Sequence, residues 1–129
     1  VNSDDEAKLW SEPSGIEAAE FLGPAEWQDG MSGQTFRLNG GWIEERIAGC
    51  WYRQHHTANH EAACIRRCHA EAVLWEKYLI GFVRILTGEF YWCKAGEIVG
   101  DPLTKTLYPS VSAAAIAATL AIKKEQTNA

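Results

Sequence analysis

The stretch from Trp42 to Thr87, WIEERIAGCWYRQHHTANHEAACIRRCHAEAVLWEKYLIGFVRILT, decides how the chain is read. Its apolar positions run Ile43, Ile47, Cys50, Trp51, Ala58, Ala62, Ile65, Ala72, Leu79, Val83 and Leu86, almost all in steps of three, four or seven. That spacing keeps one face of a 3.6-residue helix apolar. No proline occurs between Pro24 and Pro102, and the natural break points are Gly49 and the polar run Gln54 to Asn59. The pattern predicts two helices, near 42–54 and 57–87, or one continuous helix. A helix of ~45 residues would be ~68 Å long at 1.5 Å per residue, too long for a compact domain, so continuity would imply a homodimer.

Outward from this stretch the punctuation is clear. Ser3 with Glu6 and Ser14 with Glu17 have the spacing of a helix-start capping box, which predicts short helices near 4–11 and 15–22. Pro13 separates them and Gly23-Pro24 ends the second. Residues 28–41 are rich in glycine and read as a connector, with a candidate strand at Gln34 to Leu38. On the other side, Thr87-Gly88 ends the helical pattern. Glu89 to Lys94 (EFYWCK) reads as an aromatic strand, with a partner at Lys105 to Tyr108 beyond a Gly100-Asp101-Pro102 turn. Ser110 or Ser112 then caps an Ala-rich helix through about Lys124. The expected fold is therefore mainly α, with an α+β arrangement as the alternative: a long central helix or broken pair over 42–87, two short N-terminal helices, a small aromatic hairpin and a C-terminal helix.

At 129 residues, 47% hydrophobic and 22% charged, the chain has the size and balance of one globular domain with a packed core. The net charge of −5 is unevenly placed. Residues 1–30 carry eight acids against Lys8 alone, whereas the remainder carries nine acids and eleven bases. This reads as an acidic N-terminal arm suited to a partner with a basic surface. The best apolar run, Leu74 to Leu86, is broken by Lys77 and Arg84, so no membrane-spanning segment is expected. Cys50, Cys64, Cys68 and Cys93 lie in predicted helix or beside aromatics rather than in a loop-rich disulfide framework, which points to a reducing, cytoplasmic setting.

The sharpest chemical feature is His56, His60, Cys64 and Cys68, four soft ligands at four-residue spacing. On one helix, adjacent pairs would stand close enough to clasp a metal ion such as zinc. The four together span roughly 18 Å of helical rise, so a complete site needs ligands from elsewhere. His60-Glu61-Ala62-Ala63-Cys64 departs from the HExxH zinc-protease pattern in its last ligand. Cys64 to His69 has one residue too many for a c-type haem attachment. The cysteine spacing lacks the tight repeats of an iron–sulfur site, and no Glu-x-x-His pair for a di-iron bundle is present. Nucleotide-binding glycine loops and the hydrolase elbow are absent too, so nothing marks the chain as an enzyme.

Six tryptophans in so short a chain suggest that some anchor an interface. The leading expectation is a non-enzymatic interaction protein, an accessory, inhibitory or assembly subunit. It would dock through Trp10, Trp27 and Trp51 and through Asp4, Asp5, Glu6, Glu12, Glu17 and Glu20. One form of this is an acidic decoy for a nucleic-acid-binding protein. Arg46, Arg53, Arg66 and Arg67 could form a basic stripe beside Trp51 and Tyr52, but the overall acidity argues against direct nucleic-acid binding. The alternative is a metal- or redox-linked helical protein built on the His/Cys ladder.

Overall fold

A computed structural model describes residues 3–96 and 105–128, with side chains from Asp5 onward. The order is α1 (Ser3–Ser11), α2 (Pro13–Leu22), β1 (Ala25–Gln28), β2 (Thr35–Asn39), β3 (Trp42–Ile47), β4 (Cys50–His56), α3 (Asn59–Tyr78), β5 (Ile80–Arg84), β6 (Phe90–Lys94) and α4 (Val111–Thr127). Strands β1 to β4 form an antiparallel meander in chain order, and β5–β6 form a separate hairpin. The fold is α+β, which overturns the expectation of a mainly α chain.

The correction is concentrated between Trp42 and His56. The residues expected to form a helix over 42–54 instead form β3 and β4, joined by the two-residue turn Ala48-Gly49. Both turn residues have positive φ, 52° and 84°. That is the geometry that lets a two-residue hairpin follow the right-handed twist of its strands. Three- and four-residue apolar steps over so short a window also fit strands rich in Trp, Ile and Tyr, and pairing across the hairpin decides the case. The second expected helix is real but shorter, 59–78 rather than 57–87. It stops where Leu79 turns left-handed (φ 55°) and closes the helix end by donating its N–H to the carbonyls of Leu74 and Trp75. The chain then leaves as β5. The segment that is apolar all round is satisfied by this strand, with Ile80 almost completely buried, rather than by further helix. The helix is therefore not continuous across 42–87, and the length argument for a dimer lapses with it.

The flanking expectations fare better. Both N-terminal helices are present, although Pro13 is the first residue of α2 rather than a spacer, and Glu12 occupies the cap position without a side-chain bond. The candidate strand at 34–38 is β2. Ser110 caps α4 by accepting from the Ala113 N–H, at 3.2 Å. β6 pairs with β5, and its expected partner segment contributes only the bridge between Phe90 and Tyr108. The Gly100-Asp101-Pro102 turn lies outside the described residues.

α3 stands between two apolar clusters. Ala63, Ala70 and Leu74 pack with Trp10, Ala18 and Leu22 of α1–α2, with Ala115, Ile116, Ala118 and Ile122 of α4, and with Ile80. Small residues at the crossings let these helices approach closely, and each fully buried Leu or Ile removes enough apolar surface to contribute about 1.5–3 kcal/mol. On its other side Ala62, with Ile65 beside it, meets Ala25, Leu38 and Ile43 of the sheet. Residues 3–28 thus supply two core helices and an edge strand. Among the described residues no helix is long and apolar enough to cross a membrane.

Candidate functional site

The His/Cys ladder is divided by the fold. His56 belongs to β4, where its ring meets the Trp42 ring edge-on at 5.3 Å. His60, Cys64 and Cys68 remain on α3 at successive turns. Among the described residues no three His, Cys, Asp or Glu side chains converge on one point, so the four-ligand set of a structural zinc site is not assembled there. All four cysteines are free thiols, and Cys64 and Cys68 are exposed.

What the fold does assemble is a polar chain running from the helical core to those thiols. The buried Trp10 indole N–H donates to Ser112 Oγ at 3.1 Å, and Ser112 donates to Glu6 Oε1 at 2.8 Å. Arg67 Nη1 donates to the same Glu6 oxygen at 2.9 Å, while Nη2 reaches Cys64 Sγ at 3.4 Å. The guanidinium therefore bridges α1 and the exposed Cys64 thiol, with its Glu6 end ordered by α4. Its hydrogen bond and charge pairing with Glu6 raise the Arg67 pKa in spite of partial burial. Partial burial outweighs Arg67 at Cys64 and pushes that thiol up, so the group is protonated at neutral pH rather than an activated nucleophile. Glu71, one turn beyond Arg67, is also pushed up by burial and lines a cleft of about 440 Å³ with Glu6, Arg67 and Arg84.

Beside the thiols a second cleft, of about 380 Å³, opens between β1 and α3 and is lined by Trp27, Cys64, Ile65, Cys68 and His69, among others. Burial holds the His69 pKa below its ordinary value, against the carbonyls of Leu22 and Gly23, which favour its protonated form. Its Nε2 is shielded from solvent and has no hydrogen-bond partner.

The second feature is the outward face of the four-stranded sheet. The register places Arg37, Asn39, Trp42, Glu44, Arg46, Trp51, Arg53 and His56 on the face opposite α3, with an irregularity in the β3–β4 register at Ile43/Glu44. Glu44 is buried at the centre, taking Arg37 Nε at 2.7 Å and Asn39 Nδ2 at 3.2 Å, with Arg53 at 3.7 Å. Arg37 lies 4.4 Å from the centroid of Trp51, and Arg53 lies 4.9 Å from that of Trp42. These are stacked cation–π pairs. Arg46, Arg53 and His56 are exposed, and Ile47 and Tyr52 stand open near the hairpin tip.

The residues expected to dock a partner are dispersed. Trp10 is 3% exposed and belongs to the core. Trp27 is half-buried and stacked on Phe36, and Trp51 is half-buried on the sheet face. Glu6 is committed to Arg67 and Ser112, Glu17 pairs with Lys123 at 2.8 Å, and Glu20 and Asp5 are exposed while Glu12 is half-buried. The Asp4 side chain lies outside the described residues. The basic stripe is not formed either, because Arg46 and Arg53 lie on the sheet and Arg66 and Arg67 on α3. Arg37, Trp42 and Ser112 were not among the expected site residues. A strand reading of 42–56 would have placed Trp42, Glu44 and Arg46 on one face at period two, and pairing that strand with the one at 35–39 sets Arg37 opposite Glu44. Comparison with family models, with curated proteins and with solved structures finds no match for this chain.

Proposed function

We propose that this chain is a non-enzymatic interaction protein that docks another protein on the outward face of its four-stranded sheet. The observation that carries the reading is the solvent-facing layer in which Trp42 and Trp51 are each held by a stacked arginine around buried Glu44. Trp, Tyr and Arg dominate the energetics of protein interfaces, because each combines a large apolar body with a polar or charged edge. Pre-stacking removes part of the entropy cost of ordering them on binding. Glu44 pairs with both Arg37 and Arg53, so one carboxylate faces three guanidinium groups with Arg46, and the remaining positive charge suits carboxylates on the partner. Two exposed arginines on a chain of net charge −5 offer little counterion release to nucleic acid, which favours a protein partner.

Deleting residues 1–31 would be a poor test of where docking occurs, because it removes α1, α2 and β1 from the fold. Paired substitutions separate the surfaces instead. Tagged full-length protein would be crosslinked in the cells that make it, as wild type, as Trp51→Ala with Arg53→Glu, and as Glu12→Gln with Glu20→Gln, each checked for an unchanged melting temperature. The expected result is one partner lost from the sheet pair and retained by the helix pair. The reverse pattern would move docking to the acidic helices, and capture abolished by nuclease would replace the protein partner with nucleic acid.

A further inference from the structure

Cys64 and Cys68 stand on successive turns of α3, where side chains four residues apart have Cβ atoms about 5–6 Å from each other. A disulfide needs Cβ atoms about 3.5–4.5 Å apart, so closing one here would deform a helix whose opposite side is locked by fully buried Ala63 and Ala70. The spacing suits a larger atom between the sulfurs, since metal–thiolate bonds are about 2.3 Å long.

Ligand count and surroundings narrow the ion. No third His, Cys, Asp or Glu among the described residues converges with this pair, which leaves an ion content with two ligands. Thiolates select soft ions, copper(I) foremost among the biological metals. On one side the pair borders the cleft formed with Trp27, Ile65 and His69, a largely apolar wall that suits a low-charge, weakly hydrated complex. On the other side Arg67 donates to Cys64, and Glu6, Ser112 and Trp10 hold it in place. Such outer partners fix the orientation of metal ligands. Both thiols are exposed, so an ion can reach them.

We propose that Cys64 and Cys68 form a two-thiolate site for a soft monovalent cation of the copper(I) class, with Arg67 as a positioning residue. On binding, each thiol releases its proton to solvent and two copper–sulfur bonds form. No electron changes hands. The resulting complex carries one negative charge and faces the Arg67 guanidinium. His56 has no part in it, and His60 is not needed.

The test is an anaerobic titration of the full chain with copper(I) against a coloured copper(I) chelator. Wild type should take one ion per chain, and so should Cys50→Ser with Cys93→Ser and His60→Ala. Cys64→Ser and Cys68→Ser should each abolish competition with the chelator. Arg67→Gln should keep the stoichiometry and weaken affinity by about 10- to 100-fold, the usual effect of removing an outer partner. X-ray absorption on the loaded wild-type protein gives a reading that no substitution can confound, and should find two sulfur neighbours. Retention of the ion by the Cys64→Ser, Cys68→Ser double variant would overturn the proposal. So would three or more ligands around copper, or a copper-dependent dimer in native mass spectrometry.

Discussion

Trp10 and Ser112, 102 residues apart in the chain, are joined by a buried 3.1 Å hydrogen bond from the indole N–H to the hydroxyl oxygen. Ser112 in turn donates a hydrogen bond to Glu6, so one hydroxyl serves α1 twice. Ser112→Ala leaves the indole N–H buried without a partner, and a group stranded in this way costs about 1–3 kcal/mol. We expect a loss of that size in urea denaturation with an unchanged slope. A variant as stable as wild type would show that the bond is not maintained in solution.

Gly15 marks the closest approach of α2 to α1. A Cβ there would meet the Leu9 carbonyl oxygen and the Trp10 Cα, the latter at 2.7 Å, and both are backbone atoms that cannot swing aside. Helix propensity alone would make Gly15→Ala a gain of about 1 kcal/mol. Overpacking at such a contact costs about 1–3 kcal/mol and should win, because relief requires moving α1 together with the buried Trp10. The melting temperature should therefore fall. A rise would mean that α1 and α2 separate more easily than their shared core implies.

Ala48 occupies the first turn position between β3 and β4 at φ 52°, ahead of Gly49 at φ 84°. Left-handed geometry costs an L-residue such as alanine about 1–2 kcal/mol, and asparagine relieves part of this through local hydrogen bonding. Ala48 is exposed, so the larger side chain can extend into solvent. Ala48→Asn should raise stability by several tenths of a kcal/mol to about 1 kcal/mol, read as a higher denaturant midpoint. A lower midpoint would show that the hairpin does not use this turn.

That turn explains how much of the fold was legible. Ser110 as a cap, Pro13 and Gly23-Pro24 as boundaries, and the alanines of α4 are local signals, and the helices they mark are present. The β3–β4 hairpin carries Ala48-Gly49 in place of Asn-Gly, so Gly49 read as a break in a helix rather than as a hairpin turn, and Ile43, Ile47 and Cys50 then mimicked a helix face. The site followed suit. His56 entered the ladder only because β4 was taken for helix, whereas Cys64 and Cys68 kept their relation because α3 is helical across both. The bond from Trp10 to Ser112 and the stacking of Arg37 on Trp51 depend on long-range packing, to which sequence spacing gives no access.

Glu44 shows how the sheet face responds to pH. The Arg37 hydrogen bond, foremost, with Asn39 and the charges of Arg37 and Arg53, holds its carboxyl below the ordinary value of 4.5, against the opposing effect of burial. A carboxyl with a lower pKa folded than unfolded adds stability that is fully present above the unfolded value and disappears as pH falls through the folded one. Urea midpoints followed from about pH 7 down to about pH 3 should decline below 4.5 in wild type, with Glu44 contributing part of the slope. Glu44→Gln keeps the shape of the side chain and removes the titration, so its acid limb should be shallower and its stability at neutral pH lower. Because Arg37 is held between Glu44 and the Trp51 ring, the same substitution should loosen that stack and alter Trp51 fluorescence. Parallel acid limbs in the two proteins would mean that Glu44 does not hold the arginines, and the ordered docking face would lose its anchor.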